Sequence, residues 1–179
     1  MNKIEIEIPE GKKAEWVNGV LTLVDEKPQD ITERIKTFED AVEELGDWHP
    51  LVTEYKLIAG AFDITNDLLA YLKLRIICEA LNEGWKSIFN DGEYRYYPWL
   101  YMYTKEEYEK LDEGEKAHCA PLQLNNVVLA NGGLVFANAI GTGSHSSAYY
   151  GVQLAFKSPE LAEYCGKQFI DIWCDYLFG

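Results

Sequence analysis

The side chains best suited to recognising a ligand lie in and beside an aromatic segment of the chain. Arg95 is followed by Tyr97 and Trp99, and Arg75 lies in the helix predicted before them. Aromatic rings stack on a base or a sugar, and guanidinium groups bind an anion. These four residues therefore predict a pocket for a small anionic ligand such as a nucleotide. The alternative, which we favour, is that the rings pack a sheet, because aromatic residues are common in strands.

A second candidate surface lies in residues 117–156, which contain no Asp, Glu, Lys or Arg. The segment is rich in Gly, Ser, Asn and Tyr, a composition similar to that of adaptable binding loops. It predicts an interaction surface formed by Thr142, Ser144, His145, Tyr149 and Tyr150. His145 stands beside Ser144, but no nucleophile-elbow pattern surrounds them, so we do not predict a hydrolase. The glycines nearby lack the Gly-Lys-Ser/Thr ending of a phosphate-binding loop.

We predict no catalytic residue, no metal site and no cofactor. The histidines fall in different predicted loops, and no two potential ligands stand at a recognisable metal-binding spacing. The Asp and Glu residues lie mainly on the solvent faces of predicted helices, so no acid–base pair is evident. The cysteines predict buried, reduced thiols in a cytoplasmic compartment; they are Cys78, Cys119, Cys165 and Cys174. An enzyme assembled from scattered residues stays open as an alternative.

The charge balance limits the partners. The 179 residues carry 16 basic and 30 acidic side chains, a net charge of −14. Phosphate backbones are bound mainly through Lys and Arg, so nucleic acid is an unlikely partner, whereas a basic protein is allowed. No apolar run reaches the roughly 18 residues of a membrane helix, so we expect no membrane. Mimicry of DNA would need carboxylates at phosphate-like spacing, and these are scattered.

The first part of the chain predicts strands followed by helices. Residues 3–8 alternate between Ile and a charged residue, Lys or Glu, as a strand with one apolar face does, and Asn18-Gly19 predicts the turn of a β-hairpin. Apolar residues at helical spacing predict a helix over 31–45 and a shorter one over 50–58. Thr65 should cap a central core helix that runs to about Gly84.

The second part predicts strands and a closing helix. Alternation over 99–103 favours a strand, and Thr104 with Glu107 forms a capping box. We expect one or two further strands, around 134–139 and 149–156, with a flexible loop between them, and a helix from Pro159 to about residue 177. The prediction is one α+β domain over 1–179, a small antiparallel sheet with an N-terminal β-hairpin packed against amphipathic helices. Its parts are the hairpin (1–28), a helical and aromatic part (29–116), a charge-free part (117–157) and a C-terminal helix (158–179).

Four stretches resemble a family of uncharacterised proteins of bacteriophages, prophages and mobile elements of gut Bacteroides-type bacteria. They are IPEGKKAEWVNGVLTLVDE, ALNEGW, EYRYYPW and LAFKSPELAEYCGKQFIDI. The resemblance implies no activity, substrate or cofactor. It implies a phage context, in which a binding or assembly protein acting by protein–protein contacts or self-association is our leading hypothesis. A host-defence antagonist that sequesters a nucleotide signal is the alternative.

Overall fold

A computed structural model describes residues 6–61, 63–88, 90, 92–116, 120–121, 132–143 and 151–179. These form the predicted α+β fold, with helices around a central helix and the strands in two separate antiparallel sheets. The strands are β1 (Lys12–Val17), β2 (Val20–Asp25), β3 (Tyr94–Thr104), β4 (Ala120–Pro121) and β5 (Gly132–Gly143). The helices are α1 (Ile31–Arg34), α2 (Phe38–Leu45), α3 (Pro50–Ala59), α4 (Asn66–Leu81), α5 (Lys105–Lys110), α6 (Glu113–Lys116), α7 (Pro159–Gln168) and α8 (Ile170–Phe178).

The predicted hairpin is confirmed, but it forms a sheet of its own. β1 and β2 pair antiparallel across Asn18 and Gly19, whose φ angles of 52° and 81° have the positive sign that a type I′ turn needs. The prediction of a strand over 3–8 is wrong for residues 6–8, which belong to neither sheet; residues 3–5 lie outside the described part. An alternating pattern becomes a strand only where a neighbouring strand satisfies its backbone groups.

The predicted helix over 31–45 is two helices, α1 and α2. The chain leaves helical geometry at Ile35, and Thr37 starts a new helix with a capping box. Its hydroxyl accepts the Asp40 N–H at 3.1 Å, and the Asp40 carboxylate accepts the Thr37 N–H at 2.8 Å. The hydrogen bonds to the Asp40 carboxylate lower its pKa. The largest contribution comes from the Lys36 N–H, followed by those of Thr37. Apolar spacing continues across the break, which is why periodicity alone hides it.

The central helix α4 is confirmed as the core of the fold. It starts after Thr65 and ends at Asn82, and its buried side chains surround most of its circumference. Helices α2, α3 and α8 pack on it, and Leu74, Ile76 and Ile77 are fully buried. A helix that is apolar on most sides must be covered on most sides.

The second sheet has the strand order β3-β5-β4. β3 is longer than the predicted 99–103, and its register with β5 shifts between Trp99 and Leu100. The described residues do not form the strand that we expected over 149–156. Residues 152–154 form one 3-10 turn, and Phe156 makes a single bridge to Tyr96. Thr104 and Glu107 form the predicted capping box at the start of α5.

The predicted C-terminal helix is divided at Phe169 into α7 and α8. Ser158 caps α7, as predicted, by accepting the Leu161 N–H at 3.4 Å. Phe169 has a φ of −116° and a ψ of 32°, which interrupts the helix, and its own side chain is buried. The bend lets Trp173 of α8 reach the core beside α4.

Candidate functional site

The four residues predicted to form a ligand pocket differ in their exposure and in their place in the fold. Arg95 is 1% exposed and Tyr97 is fully buried, whereas Trp99 is 45% exposed. Strand alternation places residues 95 and 97 on one face of β3, where both are buried, whereas Trp99 and Tyr101 at and beyond the register shift are exposed. Arg75 lies elsewhere, on α4. The structure therefore does not bring these four residues together.

The buried groups next to Tyr97 form an interior cluster. Burial raises the pKa of Tyr97, and the neighbouring Arg95 cation opposes that rise. Cys78 lies beside Cys165, and burial is the main reason that the pKa of Cys78 is raised. A thiol with a raised pKa is mostly protonated and is a weak nucleophile. The cluster therefore packs the interior and is not a candidate for thiolate chemistry.

Most of the interaction surface predicted from the charge-free segment lies outside the described residues, namely Ser144, His145, Tyr149 and Tyr150. Thr142 is described only in its backbone, which stands opposite Arg95 in the register of β5 with β3. The other end of β3 carries an exposed aromatic surface. Trp99, Tyr101 and Met102 are 45–56% exposed, and the Tyr101 and Tyr103 rings meet edge to face at 5.0 Å.

The N-terminal hairpin exposes apolar side chains on both faces. Opposite partners in an antiparallel pair share a face, so Ala14, Trp16, Leu21 and Leu23 lie on one face of it. Trp16 is 74% exposed, and Leu21 and Leu23 are about 40% exposed. In the part of the chain that the structure describes, the extensive contacts of β1 and β2 are with each other. Sequence reasoning predicted this hairpin without recognising that its apolar face is uncovered.

A cleft of about 430 Å³ opens beside the C-terminal half of α4. This volume falls within the range of about 300–1,000 Å³ that is typical of small-molecule sites. Three parts of the chain line it. They are the start of α3 (His49, Pro50, Leu51), α4 and the loop after it (Arg75, Cys78, Glu79, Asn82, Trp85, Lys86, Ser87), and the turn before α7 (Val152, Gln153, Ala155).

The polar groups of the cleft are held by defined contacts. The Arg75 guanidinium donates to Glu54 at 3.0 Å and lies 5.7 Å from the centre of the Tyr71 ring. Lys86 donates to both carboxylate oxygens of Glu79. These contacts place two cations on one side of the cleft, each beside one carboxylate.

Two further contacts fix the walls of the cleft. The Nδ1 of His49 accepts the Leu51 N–H at 3.3 Å and caps α3, so a neutral His49 ring carries its proton on Nε2. Asn82 is 5% exposed and joins the end of α4 to the chain before α7. Its amide nitrogen donates to the Ala155 carbonyl at 2.8 Å, and its oxygen accepts the Lys157 N–H at 3.0 Å.

Of the cleft residues, sequence reasoning singled out only Arg75. A signal for part of the rest was present, because Arg75, Cys78, Glu79 and Asn82 recur at the spacing of one helix face. The helix is apolar around most of its surface, which concealed that pattern. His49 and Val152 join them only through the tertiary fold.

The described residues contain no group of three His, Cys, Asp or Glu side chains placed to hold a metal ion. No described helix combines the length and the apolar character that crossing a bilayer requires. In comparisons with known proteins, this chain matches neither a protein-family model, nor a curated protein, nor a solved structure.

Proposed function

We propose that this chain is a non-enzymatic, phage- or prophage-encoded assembly protein that associates with a second copy of itself through its N-terminal hairpin. The observation that carries this function is the uncovered hairpin, with Trp16 and Val20 exposed by 74% and 64%. We place the protein in the cytoplasm of the bacterial host, where buried thiols such as Cys78 stay reduced.

The physical reason is the marginal stability of an isolated hairpin. Two strands alone bury little apolar surface, and three or more strands are needed for a stable sheet in water. Here β1 and β2 form a sheet of two strands, separate from the β3-β5-β4 sheet. A further strand would cover backbone groups at an open edge and part of the exposed apolar surface.

The register of the hairpin shows which backbone groups β1 offers. The Glu26 N–H donates to the Gly11 carbonyl at 2.8 Å, so the odd-numbered residues of β1 bond inward to β2. The backbone groups of Ala14 and Trp16 therefore point to the open edge. The Lys12 N–H on that edge is bonded to the Pro9 carbonyl at 3.1 Å.

Charge complementarity favours a second copy, paired about Ala14. If two β1 strands pair antiparallel about a two-fold axis at Ala14, each Lys13 stands opposite Glu15 of the second copy. An axis at residue 13 or 15 would instead oppose two lysines or two glutamates, which is destabilising. Lys13 and Glu15 already form an ion pair of 2.7 Å within one chain. Pairing of two β1 strands would bring two such ion pairs side by side, with charges of alternating sign.

Light scattering of the purified chain and its charge variants tests this association. We expect the parent to be a dimer, and Glu15→Lys and Lys13→Glu each to be monomeric. The double variant with both substitutions should dimerise again, and so should an equimolar mixture of the two single variants. Glu15→Lys also reduces the net charge from −14 to −12, since it replaces one negative charge by one positive charge. General electrostatic repulsion therefore predicts more association for this variant, whereas the paired register predicts less.

Two further variants separate the edge from the charges. Ala14→Pro removes the outward N–H of β1 and leaves the inward ladder intact, so it should abolish the dimer. Glu10→Lys changes the net charge equally but lies outside β1 and should leave the dimer unchanged. A monomeric parent, or a dimer that survives both Glu15→Lys and Ala14→Pro, would refute self-association through β1. A stable complex with a different host or phage protein at this edge would refute the choice of occupant.

A further inference from the structure

We propose that the cleft beside the C-terminal half of α4 is a binding site for a small monoanion that carries a planar aromatic ring. This inference is independent of self-association through the hairpin, because the cleft includes no residue of β1 or β2. It concerns residues His49, Arg75, Glu79, Trp85 and Lys86.

The N–H donors of the cleft favour an anion. Arg75 and Lys86 are cations, and His49 offers Nε2–H, so three nitrogen donors of different chain segments line one concave surface. Glu54 and the Tyr71 ring hold the Arg75 guanidinium, and its side chain is 23% exposed. A guanidinium held on two sides is preorganised, so binding an anion orders little that is not already ordered.

The carboxylates of the site limit the charge of the ligand. Glu54 and Glu79 each accompany one cation, and the whole chain carries −14. A polyphosphate would meet Glu79 at close range and would be repelled by the protein as a whole. A single negative group can bind Arg75 and replace Glu79 as the partner of Lys86, whose side chain is 68% exposed.

The remaining lining favours a flat ring. Trp85 is half-buried at the cleft, and Leu51, Val152 and Ala155 give the opposite walls an apolar surface. Indole faces stack on planar rings, and such contacts add to the gain from buried area. The loop that carries Trp85 is fixed further on, where Glu93 accepts the Ser87 hydroxyl at 2.7 Å and the Ile88 N–H at 2.9 Å.

Calorimetric titration with four probes tests the site. Cyclic AMP and indole-3-acetate are ring-bearing monoanions with a phosphodiester and a carboxylate group, and adenosine and indole-3-acetamide are their uncharged counterparts. We expect saturable binding of at least one anion. Its neutral counterpart should bind more weakly by a factor of about ten or more, because a hydrogen bond to a charged group is lost. Binding of only one anion identifies which anionic group the site prefers.

Variants locate the binding on the molecule. Arg75→Gln and Trp85→Leu should each weaken binding of that anion about tenfold or more. Lys86→Gln changes an exposed side chain and serves as a third variant that does not threaten the fold. Matched controls away from the cleft are Lys167→Gln, which breaks the exposed pair with Glu163, and Trp99→Leu on β3. Both should bind as the parent does.

Three results would overturn this site. The first is the absence of saturable binding for both anions. The second is binding that Trp99→Leu weakens as much as Trp85→Leu does, which would return the site to the aromatic segment of β3. The third is equal binding of each anion and its neutral counterpart. None of these depends on whether the protein dimerises, so failure here and failure of the assembly function are distinguishable.

Discussion

Replacing Asn82 by alanine should destabilise the protein strongly, although the substitution removes no apolar surface. The amide of Asn82 joins α4 to the segment before α7 through the Ala155 carbonyl and the Lys157 N–H. Ala155 is 1% exposed, so its carbonyl would lose its partner in a place that water reaches poorly. Each buried group left without a partner costs about 1–3 kcal/mol. We therefore expect Asn82→Ala to lower the free energy of unfolding by about 2–4 kcal/mol.

Urea denaturation and thermal melting, both followed by circular dichroism, measure this effect. For a domain of this size, the loss corresponds to a melting temperature lower by about 5–15 °C. Asn90→Ala is the matched control, since Asn90 is exposed and accepts only the local Gly92 N–H among the bonds described for its side chain. It should cost less than about 1 kcal/mol. An Asn82→Ala variant within about 0.5 kcal/mol of the parent would refute the assignment of this amide as a buried link.

Two further predictions follow from buried titratable groups. Burial raises the pKa of Tyr164 to about 12, and its hydroxyl donates to the Ile35 carbonyl at 2.6 Å. The unfolded chain therefore loses this proton above about pH 10 while the folded protein keeps it, so stability falls as the pH rises from about 10 to 12. Tyr164→Phe should show a shallower fall in urea denaturation, and an unchanged slope would contradict this. Burial likewise raises the pKa of Cys174 to about 11. Its alkylation by iodoacetamide near pH 8, measured by peptide mass mapping, should be on the order of a hundredfold slower than that of a peptide thiol, and equal rates would contradict it.

The parts of the fold that local signals determine were predictable from the sequence. Asn18-Gly19 specifies a tight turn, and Ser158 with Pro159 specifies a helix start, because the backbone geometry of each depends on its own residues. The predictions are wrong where the structure of a segment depends on pairing with residues that are distant in the sequence. Residues 6–8 have a strand pattern but belong to neither described sheet, and Phe156 pairs at one position only.

The candidate sites were less predictable than the elements. Arg95 and Tyr97 lie in β3 but outside the strand predicted over 99–103, and their burial depends on how β3 packs in the whole fold. The cleft needs the start of α3, one face of α4 and the turn at 152–154 to meet. Local sequence patterns predict each of these segments separately. That the three segments lie side by side depends on the whole fold. The pairing proposed about Ala14 could be worked out from the sequence, since it depends on the alternation of Lys13 and Glu15 about a central residue.

The separation of the hairpin from the rest of the fold has an evolutionary consequence. The buried core described here begins at Ile31 and includes no side chain of β1 or β2. Substitutions in the hairpin therefore leave the free energy of unfolding of the remaining body almost unchanged, because they remove no contact of its core. Natural proteins lie close to a stability threshold, and most changes to a core lower stability toward it. The hairpin is free of that constraint. Residues at its strand edge can therefore be substituted one at a time during evolution while the rest of the protein stays folded.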